Sequence, residues 1–144
     1  MQRKAFERLV EEGFERLPQW VREKIKNVAV LVEDEPSNEV RKKEGLRDNE
    51  TLLGYYQGIP LSERGEIYGI GMTMPDAITL FQIPIEEAAE ELFVSRLNLD
   101  DQGSTLIKEC ALEIVAETIW HEFAHHFGMD EGEAREREQQ RGIV

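Results

Sequence analysis

The sequence predicts an α+β fold, in which a small mixed β-sheet is backed by helices that include one long helix late in the chain. Hydrophobic residues recur at helical spacing near the N-terminus, short apolar runs of strand length follow, and helical patterns return after residue 84. Helices and strands that are segregated along the chain in this way are typical of α+β proteins. We expect residues 1–144 to form a single domain around one hydrophobic core.

Residues 1–26 are predicted to form two N-terminal helices. Pro18 interrupts the first hydrophobic pattern and can occupy an early position of a second, short helix that ends near Lys26. The hydrophobic residues at helical spacing in the first helix are Phe6, Leu9, Val10, Phe14 and Leu17.

The middle of the chain carries the predicted strands. The apolar run 28–32 has the length of a strand and is expected to be buried on both faces. The polar segment 33–50 is predicted to be a long surface loop. We expect further strands at 51–57 and 76–83, with a short strand or irregular segment at 67–71.

An acidic helix is predicted to begin at Pro84 or Ile85 and to end near Leu97, followed by a loop over residues 98–103. Ser104 is a suitable N-cap for the long final helix.

The long helix is expected to extend through Phe127, because Gly128 is the residue type that most often ends a helix. The tail from 132 to 144 is highly charged and has no continuous apolar face.

Composition excludes several classes of function. The net charge of −13 opposes binding to phosphate backbones, so we expect no nucleic-acid partner. No stretch of about 18 apolar residues is present, and no membrane association is expected. The single cysteine, Cys110, fits a reducing compartment and a buried position, so a cytoplasmic location is predicted. The oligomeric state is left open.

The long helix carries the chemically informative motif His-Glu-x-x-His. His121 and His125 are four residues apart, so both imidazoles lie on one face of a helix and can bind the same zinc ion. Glu122 neighbours the first histidine and is placed to act on a water molecule at the metal rather than to bind the metal itself. We therefore predict a zinc site with Glu122 as the catalytic group.

A catalytic zinc site needs a third protein ligand and an open fourth position. Gly128 allows the chain to reverse, which would return Glu131, six positions after His125, to the metal. Asp130 is the alternative third ligand if the turn is one residue tighter.

The face of the helix that bears the motif is expected to point toward the core. His126 lies about 100° around the helix from His125, so it is predicted to be a packing group or a support for the ligands. Trp120 and Phe123 are predicted core aromatics. The stripe that leads to the motif consists of Ile107, Ala111, Ile114 and Thr118.

The chain resembles the small zincin-like metallopeptidases, also described as minimal metalloprotease-like proteins. The resemblance implies a compact zincin core and a peptidase activity, with His121 and His125 at the family's ligand positions and Glu122 at its general base. At position 131 the family often has Asp, where this chain has Glu. The matching segments are Leu17-Pro18, 27–36, 52–56, 58–64, 75–81 and 121–131.

As a peptidase, the protein would act on a peptide or protein substrate held along a sheet edge, for which the strand at 76–83 is one candidate. The possible oxyanion donors are Tyr55, Tyr56, Arg64 and Tyr68.

Two other functions compete with peptide hydrolysis. The spacing His-x3-His-x5 followed by a third ligand also occurs in metal-dependent endoribonucleases, although the acidic surface opposes RNA. A non-catalytic metal-binding or protein-interaction module on the same fold is the other alternative.

Overall fold

The computed structural model describes residues 1–58, 76–99 and 106–126. Predicted features at 67–71, at Ser104 and from residue 127 onward lie outside the described residues. The described helices and strands, in chain order, are α1 (Arg3–Glu15), α2 (Gln19–Lys24), β1 (Ala29–Glu33), α3 (Asn38–Lys43), β2 (Gly54–Gln57), β3 (Ala77–Phe81), α4 (Gln82–Leu99) and α5 (Ile107–His126).

The three described strands form a mixed sheet in the order β1-β3-β2. β1 runs parallel to β3, with Val30 opposite Ile78, and β2 runs antiparallel to β3, with Tyr56 opposite Ile78. A small mixed sheet combined with helices confirms the predicted α+β class. The predicted strand at 76–83 is therefore the central strand, and it cannot be the sheet edge that would hold a substrate.

β1 lies at the edge of the described sheet and is covered on one face only, which corrects the prediction that it is buried on both faces. Val30 and Val32 pack against the main core, but Leu31 on the opposite face is 47% exposed and Glu33 is exposed. The continuous apolar run does not reveal this difference, because a run of apolar residues does not show whether a strand is covered on one face or on both.

The segment predicted as a long surface loop contains the short helix α3. Ser37 is its N-cap, and its Oγ accepts a hydrogen bond from the backbone N–H of Val40 at 3.2 Å. Gly45 has a positive φ of 66° directly after the helix, as expected for a residue that ends one. These two signals were present in the sequence, but α3 has no buried residue and so no hydrophobic periodicity.

The predicted N-terminal helices are confirmed as α1 and α2, with Pro18 as the N-cap of α2. Helix α4 begins two residues earlier than Pro84 and ends at Leu99, so Asn98 and Leu99 belong to the helix rather than to the predicted loop. Pro84 is tolerated because the first turn of a helix needs no N–H donor at that position.

The hydrophobic core lies between the helices and one face of the sheet. Phe6 and Leu9 of α1, Ile78 and Leu80 of β3, and the buried face of α5 are parts of one cluster. α5 has extensive contacts with both α1 and α4 and also touches β2. This central packing fixes the helix that carries the motif. The fully buried members of α5 include Cys110, Val115, Ile119, Trp120 and Ala124.

Two of these residues were anticipated from the sequence. Cys110 is a buried thiol and Trp120 a buried aromatic, as predicted.

Candidate metal centre

The motif occupies the last two turns of α5. The run from Ile107 to His126 contains no Gly or Pro and includes four Glu and three Ala, which favour helix, so the helix continues without a break through His121 and His125. An unbroken helix keeps residues four apart on one face. The structure thus provides the helical spacing on which the predicted pair of zinc ligands depends.

Aromatic packing anchors the opposite face of these turns. The ring of Trp20 from α2 meets Trp120 edge-on at 5.8 Å between centroids and Phe123 at 5.9 Å. Trp120 and Phe123 are also in contact with each other, at 5.7 Å. The packing of these rings fixes the rotation of the helix about its own axis, and this rotation determines the direction in which the motif side chains point.

The motif lies at the boundary between core and solvent. His121 and Glu122 are half-buried, whereas His125 is exposed. The prediction that the whole stripe faces the core is therefore wrong at its two ends, because Ile107 is 45% exposed and His125 emerges from the protein. Within the stripe, Thr118 is buried. A half-buried position with an exposed end suits a site that must admit both an ion and a substrate.

Burial raises the pKa of the Glu122 carboxyl above its ordinary value. The charge of His125 acts in the opposite direction, as does hydrogen bonding from the backbone N–H of Tyr56, and Glu44 adds a smaller upward effect. A carboxyl whose pKa lies above its usual range is better suited to accept and return a proton near neutral pH.

His126 packs against β2, as predicted for this residue. Its ring stacks on Tyr56, with 3.8 Å between centroids and 15° between planes. The Tyr56 hydroxyl donates a hydrogen bond of 2.7 Å to Asp76 Oδ2, and His126 Nε2 lies 3.6 Å from the same oxygen. Sequence reasoning did not find the Tyr56–Asp76 pair, because it forms only when β2 and β3 are aligned.

The donor set fits zinc in part. Two imidazoles at helical spacing are the ligands this ion prefers, and a carboxylate adjoins them. In the parts of the chain that the structure describes, no group of three or more His, Cys, Asp or Glu side chains is arranged to hold a metal. The predicted third ligand, Glu131, and its alternative, Asp130, lie outside those parts, as do Gly128, Arg64 and Tyr68.

A groove of about 940 Å³ lies elsewhere, between α1 and β1. Its walls include Glu7, Glu11 and Phe14 of α1 and Val30 and Val32 of β1. None of the motif residues that the structure describes lines this groove. Its volume is therefore not evidence for the metal site.

Among residues 1–58, 76–99 and 106–126, no helix is long and apolar enough to cross a membrane.

Comparison with known proteins identifies the family of the chain. No curated protein is similar enough to the chain to be reported as a relative. A family of zincin-like metallopeptidases matches over residues 25–141, which is most of the chain and includes the three described strands and helix α5. The match agrees with the mixed sheet and the helix bearing His121, Glu122 and His125. The chain belongs to the zincin-like metallopeptidase family.

Proposed function

We propose that the protein is a zinc-dependent peptidase in which Glu122 acts as the general base. The observation that carries this proposal is the position of Glu122, half-buried between two histidines at the solvent end of α5 and facing the backbone of Tyr56. His121 and His125 would hold the zinc, with Glu131 as the third ligand. Membership of the zincin-like metallopeptidase family supports hydrolase chemistry of this kind.

Zinc, when bound, would lower the pKa of a water ligand and polarise the scissile carbonyl. The chain itself supplies the proton transfers. Glu122 would accept the proton of the attacking water and deliver it to the leaving amine. The raised pKa of its carboxyl supports both steps, because a stronger base accepts the proton more readily and the protonated form persists long enough to donate it.

We propose that β2, rather than β3, aligns the peptide. Phe81 N–H donates to the Leu53 carbonyl at 2.9 Å, so Leu53 belongs to a hydrogen-bonded pair with β3. Because such pairs alternate along antiparallel strands, the backbone groups of Gly54 and Tyr56 point away from β3. The N–H and C=O of Gly54 and the C=O of Tyr56 could bind the main chain of an extended peptide near Glu122.

The deciding experiment is the substitution Glu122→Gln. The amide keeps the shape of the side chain but cannot accept a proton, so peptide hydrolysis should fall by about 10²–10⁴-fold. Zinc content, measured by metal analysis, and the thermal unfolding temperature should remain close to those of the zinc-loaded wild-type protein. Glu87→Gln is the matched control, because Glu87 is an exposed carboxylate on a different helix, α4, and it should retain full activity.

A chelator should abolish hydrolysis, and added zinc should restore it. If the wild-type protein with full zinc cleaves nothing across a broad peptide library, the peptidase proposal fails. A metal-binding or protein-interaction module would then be the better description. Full turnover in Glu122→Gln would instead show that another group is the base.

A further inference from the structure

Helix α5 and strand β2 are aligned over three successive contacts. A Cβ atom added to Gly54 would lie only 2.6 Å from Thr118 Cγ2, so helix and strand approach closely there. One turn later Glu122 meets the N–H of Tyr56, and one turn after that His126 meets the Tyr56 ring and Gly58. We call this arrangement the α5–β2 contact.

The spacing of these contacts is consistent with regular geometry. Eight helical residues from Thr118 to His126 advance about 12 Å. Four strand residues from Gly54 to Gly58 advance about 13 Å. The helix and the strand therefore advance by similar distances between successive contacts. A shift of Tyr56 would change the middle contact, which involves Glu122.

Tyr56 is held on two sides. Its ring stacks on His126, and its hydroxyl is bonded to Asp76, the residue that precedes β3. Gly58 makes room for this stack, because an added Cβ would lie 3.0 Å from both His126 Cε1 and Tyr56 Cε1. The stack ties the last turn of α5 to β2, while the hydroxyl ties β2 to the start of β3.

The N–H of Tyr56 is directed toward Glu122 by the strand register. Leu53 pairs with Phe81 through a hydrogen bond, and the alternation along β2 leaves the Tyr56 N–H on the side away from β3. The same N–H donates a hydrogen bond to the Glu122 carboxylate. Tyr56 thus contacts His126 and Asp76 through its side chain and Glu122 through its backbone.

We propose that Tyr56 is a positioning residue that orients the Glu122 carboxylate through its backbone N–H, and that His126 holds Tyr56 in place by stacking. This inference rests on the proposed function, in which Glu122 is the base. It assigns His126, the third histidine of the motif, to the support of that base rather than to the metal. The geometric half of the proposal holds with or without zinc.

The geometric half is tested on the zinc-free protein by amide hydrogen exchange measured by NMR. His126→Ala removes the stack, so exchange of the Tyr56 amide should become about tenfold faster. His126→Phe keeps a ring on Tyr56 and should restore wild-type protection. The Phe81 amide, bonded to Leu53 within the sheet, is the internal control and should exchange at the same rate in all three proteins.

The catalytic half is tested on the zinc-loaded protein. His126→Ala should lower kcat about tenfold, with KM and the Kd for zinc unchanged, and His126→Phe should recover most of kcat. A purely structural role would not produce rescue by Phe together with a change confined to kcat. Should His126→Ala fail to fold, Tyr56→Phe carries the test, since it removes only the bond to Asp76 and should increase amide exchange at position 56 by a few-fold.

Three results would overturn the proposal: unchanged exchange of the Tyr56 amide in His126→Ala, equal impairment in His126→Phe and His126→Ala, or loss of zinc in His126→Ala. For Tyr56→Phe, wild-type exchange at position 56 would overturn it. If the wild-type protein shows no peptidase activity, the proposed function fails, but the exchange measurements still decide whether His126 and Tyr56 position Glu122.

Discussion

Three histidines lie within six residues on α5, and helix geometry places them on different faces. His121 and His125 share a face, whereas His126 is turned about 100° from His125 and packs on Tyr56. His125 and His126 are both exposed, but the ring of His126 stacks on Tyr56 and lies near the Asp76 carboxylate.

We expect the wild-type protein to bind about one zinc ion per chain, as a catalytic site of three protein ligands would. His121→Ala and His125→Ala should each abolish binding in metal analysis after dialysis, because each removes a ligand. His126→Ala is the matched control and should keep the metal. Equal loss in all three variants would contradict the assignment of helix faces.

The third ligand can be examined in the same assay. Glu131→Ala should weaken zinc affinity, measured by competition with a chelator, more than Asp130→Ala does. The reverse order would move the third ligand to Asp130 and require a tighter turn after Gly128.

Glu122 is expected to make the stability of the zinc-free protein depend on pH. Its pKa in the folded protein is raised above the ordinary value of 4.5, mainly by burial. Between 4.5 and the raised pKa, the folded state binds more protons than the unfolded state, so this group lowers stability as pH rises through that window. Below about pH 4.5 the carboxyl is protonated in both states and the effect vanishes.

Glu122→Gln should therefore stabilise the zinc-free protein at pH 7, and its advantage should shrink toward zero as the pH falls to about 4.5. Urea unfolding at several pH values measures this. Glu7→Gln is the control for the loss of one negative charge, because Glu7 is exposed on α1. A pH-independent difference, or equal stabilisation in both variants, would argue against the raised pKa.

At the level of secondary-structure elements, the close approach of α5 and β2 depends on the small residue Gly54. Thr118 occupies the space where a side chain at position 54 would begin, and its Oγ1 donates a hydrogen bond of 2.6 Å to the Ile114 carbonyl. The methyl group of Thr118 is therefore held in place and cannot turn aside without loss of this bond. The α5–β2 contact at Gly54 therefore has no room for an added methyl group unless the helix or the strand moves.

Gly54→Ala should destabilise the protein by about 1–3 kcal/mol, because the added methyl overfills a packed contact. The second substitution Thr118→Ser removes the Cγ2 methyl but keeps the hydroxyl, so the double variant should recover most of the loss. Denaturant unfolding of the two single variants and the double variant gives the coupling energy. Wild-type stability in Gly54→Ala, or no recovery in the double variant, would show that the contact is looser than the distance of 2.6 Å implies.

At the scale of the whole molecule, charge is the dominant property. The net charge is −13, and such an imbalance destabilises a compact state through self-repulsion. Opposing this are a few specific ion pairs, such as Arg96 of α4 with Glu113 of α5, where Arg96 Nη1 lies 3.1 Å from Glu113 Oε1. These pairs are partly exposed, so each is expected to contribute little.

Raising the NaCl concentration from about 10 mM to 150 mM shortens the Debye length from about 30 Å to 8 Å. We expect the thermal unfolding temperature to rise, because repulsion among distant carboxylates is screened more than close pairs are. Sucrose at matched osmolality is the control for effects other than screening. A fall in the unfolding temperature would show that ion pairs such as Arg96–Glu113 outweigh the general repulsion.

The sequence by itself determined the local features: two N-terminal helices, the segments at β1 and β3, and a continuous helix with His121, Glu122 and His125. Helical spacing and the strand-length apolar run are properties of residues close together in the sequence, so they can be recognised without knowledge of tertiary contacts. The same holds for the family, because the match extends along the sequence over residues 25–141.

Only the tertiary structure decided which strand is central, that Leu31 and His125 are exposed, and that His126, Tyr56 and Asp76 form one cluster. Tyr56 and Asp76 are 20 residues apart, and His126 is far from both in sequence. Their contact depends on strand register and on the angle at which α5 crosses β2. These arise from packing between distant segments, which no local pattern of residues specifies.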